Sequence, residues 1–457
     1  MDVDTIVALS TAPGVGAIAV VRISGPDADR VLMSLGQYGG PLPEFRRATL
    51  AELRDPLDGS LLDRAIVTRY GGPASYTGED LVEFACHGGW LISELIVQAC
   101  VALGARRADP GEFTQRAYLR GKVDLVQAEA VSDLIEAKSR ASHRVALAQM
   151  ERGLSRRVDA LREGLVRMEA LLVHHLDFPE EDDPPVPVAE IIAAAEGLLA
   201  DFDLMLSTAP EGELLREGAL AVLAGRPNAG KSSLYNALLG EERAIVTEEA
   251  GTTRDALEAV VQFGGFPFRL VDTAGLRESE GRIERMGIEV ARRYIDRADV
   301  ILFCCPADEP LTEADRTFLE AFRETPVVLI ETKSDLSGAS MSMGVRGTKT
   351  ASDRLRLSVE SGEGLDDLRQ LLPQMVYASL VSASPERPVV TRQRHVRALE
   401  TARSEIASFR AALVDGLPAE IAATHLRPAE TALEELLGVV SVEDVLDVVF
   451  RDFCVGK

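Results

Sequence analysis

Apolar and polar positions alternate with a period of two along four short runs near the start of the chain, DTIVALST, AIAVVRISG, RAIVTRY and LVEFACHG. That alternation predicts strands with one buried face. Helical patterns such as WLISELIVQACVALG lie among them, so residues 1 to about 120 form an α/β or α+β domain. From Val123 to Asp177 the period lengthens to three and four, with no proline before Pro179, which predicts helix almost without a break. The acidic, proline-rich FPEEDDPPVPV then stops it, and another helix is predicted at roughly 188 to 206. Over about 217 to 377, strands ending near Ala224, Val271, Cys305, Glu331 and Val359 alternate with helices, the pattern of a mainly parallel sheet. From about Val389 helical spacing returns, with Val396, Leu399, Ala402, Ile406, Phe409 and Leu413 on one face. The simplest organisation is multidomain, α/β plus all-α. It comprises an N-terminal domain (1–120), a helical domain in two parts (121–216 and 378–457), and an α/β domain (217–377) inserted into the helical one.

The inserted segment carries the clearest chemistry. GRPNAGKSS, Gly225 to Ser233, has the form G-x-x-x-x-G-K-S, preceded by the strand-like ALAVLA and followed by the helical SSLYNALLG. Glycines at Gly225 and Gly230 let backbone approach phosphate, Lys231 can reach the β and γ oxygens, and Ser232 can ligate magnesium. Asn228, Ala229 and Ser233 complete the phosphate-binding run. Downstream, Thr247, Glu248, Glu249, Ala250, Gly251, Thr252 and Thr253 form a loop in which Thr253 offers a second hydroxyl to magnesium. DTAG (Asp272, Thr273, Ala274, Gly275) follows the strand FRLV, so that Asp272 can hold a magnesium-bound water and the Gly275 amide can meet the γ-phosphate. TKSD ends the strand VVLIE, where Asp335 can accept two bonds from the guanine edge while the Lys333 stem packs along the base. SVESGEG, with Ser358 and Val359, reads as the last base-contacting loop. The nucleotide is therefore GTP. Guanine-selective loops usually read N-K-x-D, and Thr332 stands here where the Asn amide would tie loops together; a hydroxyl doing part of that work predicts weaker guanine affinity with selectivity kept. Leu276 occupies the position where Ras-like enzymes carry a water-orienting glutamine. The acidic candidates for that role are Glu278, Glu280 and Glu284.

Composition narrows the partners. A net charge of −24 excludes a protein that wraps nucleic acid through a large basic surface, so any RNA contact is local or shared. Locally basic stretches at Arg106 to Lys122 and Arg140 to Arg167 are the places for such a contact, although mixed signs on helices usually mark solvated faces. Five cysteines, Cys86, Cys100, Cys304, Cys305 and Cys454, are an odd number without metal-ligand spacing, which suits reduced thiols. The first four sit in core-like or strand-like positions. No apolar run is long enough to cross a membrane, and the N-terminus lacks a basic region followed by an apolar one, so a cytoplasmic protein is expected.

The whole chain resembles the MnmE (TrmE) family of tRNA wobble-uridine modification GTPases. The resemblance rests on RISGP at 22–26, SYTGED at 75–80, HGG at 87–89, PGEFTQRAYLRGKVDLVQAEAVSDLI at 110–135, HLDFPEED, and the terminal CVGK at 454–457, where the family more often has Ile or Leu at the place of Val455. It implies a homodimer whose N-terminal domain binds 5-formyl-tetrahydrofolate or a related one-carbon donor, with Arg22, Glu83, Lys122 and Lys457 at matching positions. Such a ligand offers a glutamate tail to a cation and a pterin edge to a buried carboxylate. It implies a potassium ion in place of an arginine finger, with Asn228 at the side-chain ligand and Thr247, Glu249 and Thr252 on the matching loop. Glu249 replaces a commonly apolar residue and is expected to face solvent. Glu284 matches the family's water-positioning residue. Cys454 matches a functional thiol, a nucleophile or acid/base group, although a packing role in the folate pocket is also open. The implied partner is MnmG, which uses FAD and NADH, and the implied product carries an aminomethyl or carboxymethylaminomethyl group at C5 of the wobble uridine. The competing expectations are a ribosome-associated GTP switch that binds RNA without modifying it, and a folate enzyme acting alone.

Overall fold

A computed structural model of the chain describes residues 4–36, 41–177, 186–242, 258–273, 290–336, 353–382, 388–439, 446, 449–451 and 453–456. Two compact units emerge, Met1–Ser132 with Glu434–Lys457, and Asp133–Leu433.

In the first unit, β1 (Ile6–Leu9), β2 (Ile18–Ser24), β3 (Thr49–Arg54), β4 (Leu61–Tyr70), β5 (Leu81–His87) and β6 (Arg106–Arg107) form a sheet in the order β3-β4-β5-β2-β1-β6. All pairings are antiparallel except β1 with β6. One face carries Val7, Val21, Ile23, Val67 and Phe84, buried beneath α1 (Ala28–Leu35) and α2 (Trp90–Ala102). β3 is absent from the sequence reading because TLAELR is half polar; it exists through its register with β4, Leu50 opposite Ile66. On the other face α3 (Glu112–Leu119) sets Phe113 against Ile6 and Ala8, while Leu50 and Ile66 remain 65% and 41% exposed.

The stretch expected as one long helix is three: α4 (Leu125–Glu136), α5 (Arg140–Met150) and α6 (Gly153–Asp177). Local chemistry explains the breaks. Ser139 caps α5 by accepting from the Ser142 amide at 3.0 Å, and Arg152 has a positive φ of 66°. α7 (Val188–Leu206) has the extent the sequence predicts, and α8 (Ala209–Glu217) leads to the second sheet. There β7 (Ala219–Gly225), β8 (Glu258–Phe263), β9 (Phe266–Asp272), β10 (Val300–Pro306), β11 (Val327–Thr332) and β12 (Asp353–Arg356) lie in the order β12-β11-β10-β7-β9-β8. The sheet is parallel except for β8, which pairs with β9 as a hairpin through Gly264 and Gly265. α9 (Lys231–Glu242) and α11 (Leu365–Val376) cover one face, and α10 (Glu313–Ala321) brings Phe318 and Leu319 to the other. β12 ends at Arg356, three residues before the expected limit, because Ser358 already belongs to a turn in which its carbonyl accepts from Gly362.

α12 (Ala378–Ser382) follows α11, and α13 (Gln393–Val414) packs on α7 with Leu399, Ala402, Ile406, Phe409 and Leu413 buried as predicted. His395, not Val396, is the fully buried residue at its start. A further helix, α14, spans Leu426–Leu437.

One side chain ties the chain's entry into the second sheet to its exit. The Tyr377 hydroxyl lies 3.0 Å from the Leu214 carbonyl and 2.8 Å from that of Pro267, and accepts the Ala219 amide at 3.2 Å. Phe266 stacks on the ring at 4.8 Å. Burial raises the phenol's pKa far above its ordinary value, so it keeps the proton it donates. Beside it, Glu211 accepts the Ser379 and Leu380 amides at the start of α12.

Candidate functional site

β7 is buried along its length and delivers the chain into the loop at the mouth of the second sheet. Gly225 is required there: its φ is 131°, and an added Cβ would stand 2.2 Å from the Cys304 carbonyl oxygen. Gly230 and Asn228 also have positive φ. Lys231, 6% exposed, folds over the loop and donates to the Gly225 and Arg226 carbonyls at 3.0 and 2.7 Å. Ser232, first turn of α9, donates to Asp272 at 2.7 Å. Two oxygen groups from separate motifs thus meet at the N-terminal end of a helix, a donor set suited to magnesium beside an anion. Thr273 turns inward and donates to the Leu223 carbonyl at 2.7 Å. Ser233 is exposed and Ala229 buried, and Asn228 is exposed with its side chain free of partners among the described residues.

The base-reading end is assembled from β11 and the turn after β12. The single hydroxyl proton of Thr332 is shared between the carbonyls of Ala229, at 2.8 Å, and Cys305, at 3.2 Å. It therefore links the phosphate loop to β10, which is the tie expected of the usual Asn. Lys333 adopts a φ of 58° and is exposed. Asp335 is exposed and accepts from the buried Ser358 hydroxyl at 2.6 Å, which fixes the carboxylate while its second oxygen stays open. Val359 packs into the core. Arg226, absent from the sequence reading, is held by Glu309 at 2.8 Å and Asp315 at 3.2 Å, a pairing too distant in sequence to have a local signal. Thr247, Glu248, Glu249, Ala250, Gly251, Thr252, Thr253, Ala274, Gly275 and Glu284 lie outside the described residues, as do Leu276, Glu278, Glu280 and Lys457.

In the first unit, Arg22 of β2 stands opposite Glu83 of β5 and donates through Nε and Nη2 at 3.0 and 2.8 Å. The pair sits where the cover provided by α3 ends: the guanidinium lies 5.4 Å from the Tyr76 ring centre and 5.7 Å from that of Phe113. Tyr70 approaches the other Glu83 oxygen at 3.4 Å. A partly exposed carboxylate, a cation and an aromatic wall fit a folate-like ligand. Tyr70 and Tyr76 were missed, although Tyr76 lies in SYTGED. Lys122 does not join the pair; its ammonium donates to the Pro73 carbonyl at 2.8 Å. The terminal segment returns to this domain: Val455 bridges Pro110, the Gly111 amide donates to the Cys454 carbonyl, and Gly456 has no room for a Cβ against the Leu9 carbonyl. Ala8, next to Leu9, pairs with Arg22. Cys454 is exposed, while burial pushes the thiols of Cys86 and Cys305 up to about 11 and those of Cys100 and Cys304 up to about 12. Only Cys454 is placed to react.

A mainly parallel sheet, a glycine-rich loop entering a helix, a serine and an aspartate converging beside that loop and an oriented Asp335 define a P-loop GTPase. The model described as the MnmE helical domain matches residues 125–454, and that described as the GTP-binding protein TrmE N-terminus matches 5–122. Chains called tRNA modification GTPase MnmE are similar throughout: that of Neisseria gonorrhoeae is 42% identical over 100% of this chain and 99% of its own. That of Moorella thermoacetica is 40% identical over 99% of each. The chain belongs to the MnmE family of tRNA modification GTPases.

Proposed function

We propose that this GTPase depends on potassium, acts in the cytoplasm as a homodimer, and works with the flavoprotein MnmG and its FAD and NADH to add an aminomethyl or carboxymethylaminomethyl group to C5 of the tRNA wobble uridine. The observation that carries the hydrolase part is the 2.7 Å bond between Ser232 and Asp272. It supports a magnesium site completed by Thr253. Asn228, exposed on the phosphate loop, supports a potassium site shared with Thr247, Glu249 and Thr252. Bound there, the cations would supply positive charge to the phosphate oxygens. Lys231 exchanges its loop carbonyls for phosphate oxygens, Asp335 reads the guanine edge, and Glu284 orients the attacking water, whose oxygen bonds the γ-phosphorus as GDP leaves.

Arg22 and Glu83, with Lys122 and Lys457, are the residues proposed to hold the tetrahydrofolate donor, which supplies the one-carbon unit. The return of Cys454 to this domain supports its part in that chemistry. The bare sheet face beside the pair, Leu50, Ile66, Ala85 and Val20 in successive register across four strands, supports the homodimer.

The test is steady-state GTP hydrolysis in potassium chloride against sodium chloride at equal ionic strength, with Glu284→Ala alongside. Strong acceleration by potassium and loss of turnover in the variant are expected. Equal rates in the two salts would remove the potassium site built on Asn228.

A further inference from the structure

Across Lys138 to Arg157 the chain carries six Lys or Arg against one carboxylate, Glu151, in a protein whose net charge is −24. The structure sorts these cations. Arg152 and Arg157 face Asp159 and Asp201, and Arg156 donates to backbone carbonyls. Lys138, Arg140 and Arg144 are exposed and have no ion-pair partner among the described residues. Arg140 and Arg144 stand four apart on α5 with His143 between them on the same exposed face. Like charges at that spacing repel, at a cost of a few tenths of a kcal/mol to the helix.

Lys138, Arg140 and His143 also line a concavity with Gln262 of β8. Main-chain amides tie it to β8 and its turn: the Ala141 amide donates to the Gly265 carbonyl at 2.9 Å, and the Arg140 amide donates to the Gln262 side-chain oxygen at 3.4 Å. The amides of this first turn are thus occupied, and the side-chain cations are left to face outward.

We propose that Lys138, Arg140 and Arg144, with His143, form a surface on which this chain binds the phosphate backbone of its tRNA. An acidic protein that acts on a polyanion needs such a surface to be local and poor in carboxylates, and the run from Lys138 to Met150, which has no Asp or Glu, meets both conditions. Sequence is not read there; the contact positions the RNA. The surface is also joined to the β8–β9 hairpin, whose second strand ends at Asp272, so RNA engagement at α5 bears on the strand that carries this carboxylate. The proposal rests on the family's tRNA substrate.

The test compares wild type with Lys138→Ala/Arg140→Ala/Arg144→Ala, and with Arg403→Ala/Arg410→Ala, which removes two exposed arginines paired with Asp203 and Glu196. The probe is a labelled tRNA transcript with uridine at the wobble position, bound over a series of salt concentrations, and GTP turnover is measured on the same preparations. The triple variant is expected to bind more weakly, with a log affinity against log salt slope shallower by about three, and to keep basal GTP turnover. The control pair is expected to keep the wild-type slope. An unchanged slope in the triple variant overturns the proposal, as does wild-type binding without salt dependence. So does retention of tRNA affinity with loss of flavoprotein association, which would assign the surface to a protein partner. Failure of the GTPase reading is separate, because it shows as absent turnover in wild type.

Discussion

At Thr332 one hydroxyl stands in for an amide. An Asn would bring two donors and an acceptor; the Thr has one proton, and shares it between the Ala229 and Cys305 carbonyls. Thr332→Val keeps the shape and removes the proton, leaving buried carbonyls unsatisfied at a cost of about 1–3 kcal/mol. The expected result is a lower thermal midpoint together with weaker GDP and GTP binding by calorimetry, while Thr332→Asn retains binding. Unchanged affinity in the Val variant would show that the link between phosphate loop and β10 is dispensable. Much of this end of the site is legible in sequence, because Gly225 to Ser232, Asp272 and Asp335 each stand at or just past the end of a strand and each carry a chemistry suited to phosphate or guanine. The partners are not: that Ser358 would hold Asp335, or that Lys122 would turn to Pro73, depends on contacts between segments distant along the chain.

At the scale of elements, α3 is fastened by charge. Arg106 and Arg116 both donate to Glu112, Arg116 and Arg120 both donate to the buried Glu79, and Glu79 also accepts from Ser24. Burial alone would raise the Glu112 carboxyl, but hydrogen bonds from Arg106, the Asp109 amide and Arg116 outweigh it and hold the carboxyl below its ordinary value of 4.5. A carboxyl depressed in the folded state stabilises above its unfolded pKa, and that contribution disappears as pH falls through the folded value. Glu112→Gln is therefore expected to lower the urea midpoint clearly at pH 7 and progressively less below about pH 4.5. An equal loss at pH 7 and pH 3 would mean that shape rather than charge holds the helix. The elements themselves divide by how local their causes are. α7 and the buried face of α13 follow from spacing alone, whereas β3 and β8 depend on a neighbouring strand, and the breaks around α5 depend on a serine cap and one left-handed residue.

For the whole molecule, the N-terminal sheet leaves the row Leu50, Ile66, Ala85 and Val20 on a face that α3 covers only in part. Apolar strand positions of this kind are commonly satisfied by a second copy. Leu50→Lys/Ile66→Lys is expected to convert the proposed dimer to monomer by light scattering, with basal GTP turnover of the second unit retained. A dimer that survives would move the interface elsewhere. The placement of the C-terminal residues with this unit, beside Pro110 and Leu9, could not be read from periodicity; only the family motif tied CVGK to the N-terminal domain.

The Tyr377 hydroxyl closes the nucleotide-binding segment at its base. Because a single phenol bonds both the strand that begins the nucleotide-binding sheet and the helix preceding it, the chain leaves that sheet at the place where it came in. A segment whose two ends are neighbours asks of its host only what a surface loop asks, since the entropy of closing a loop grows slowly with its length. The helical domain can thus have acquired a complete GTP-hydrolysing module at one peptide bond without redesigning its own core.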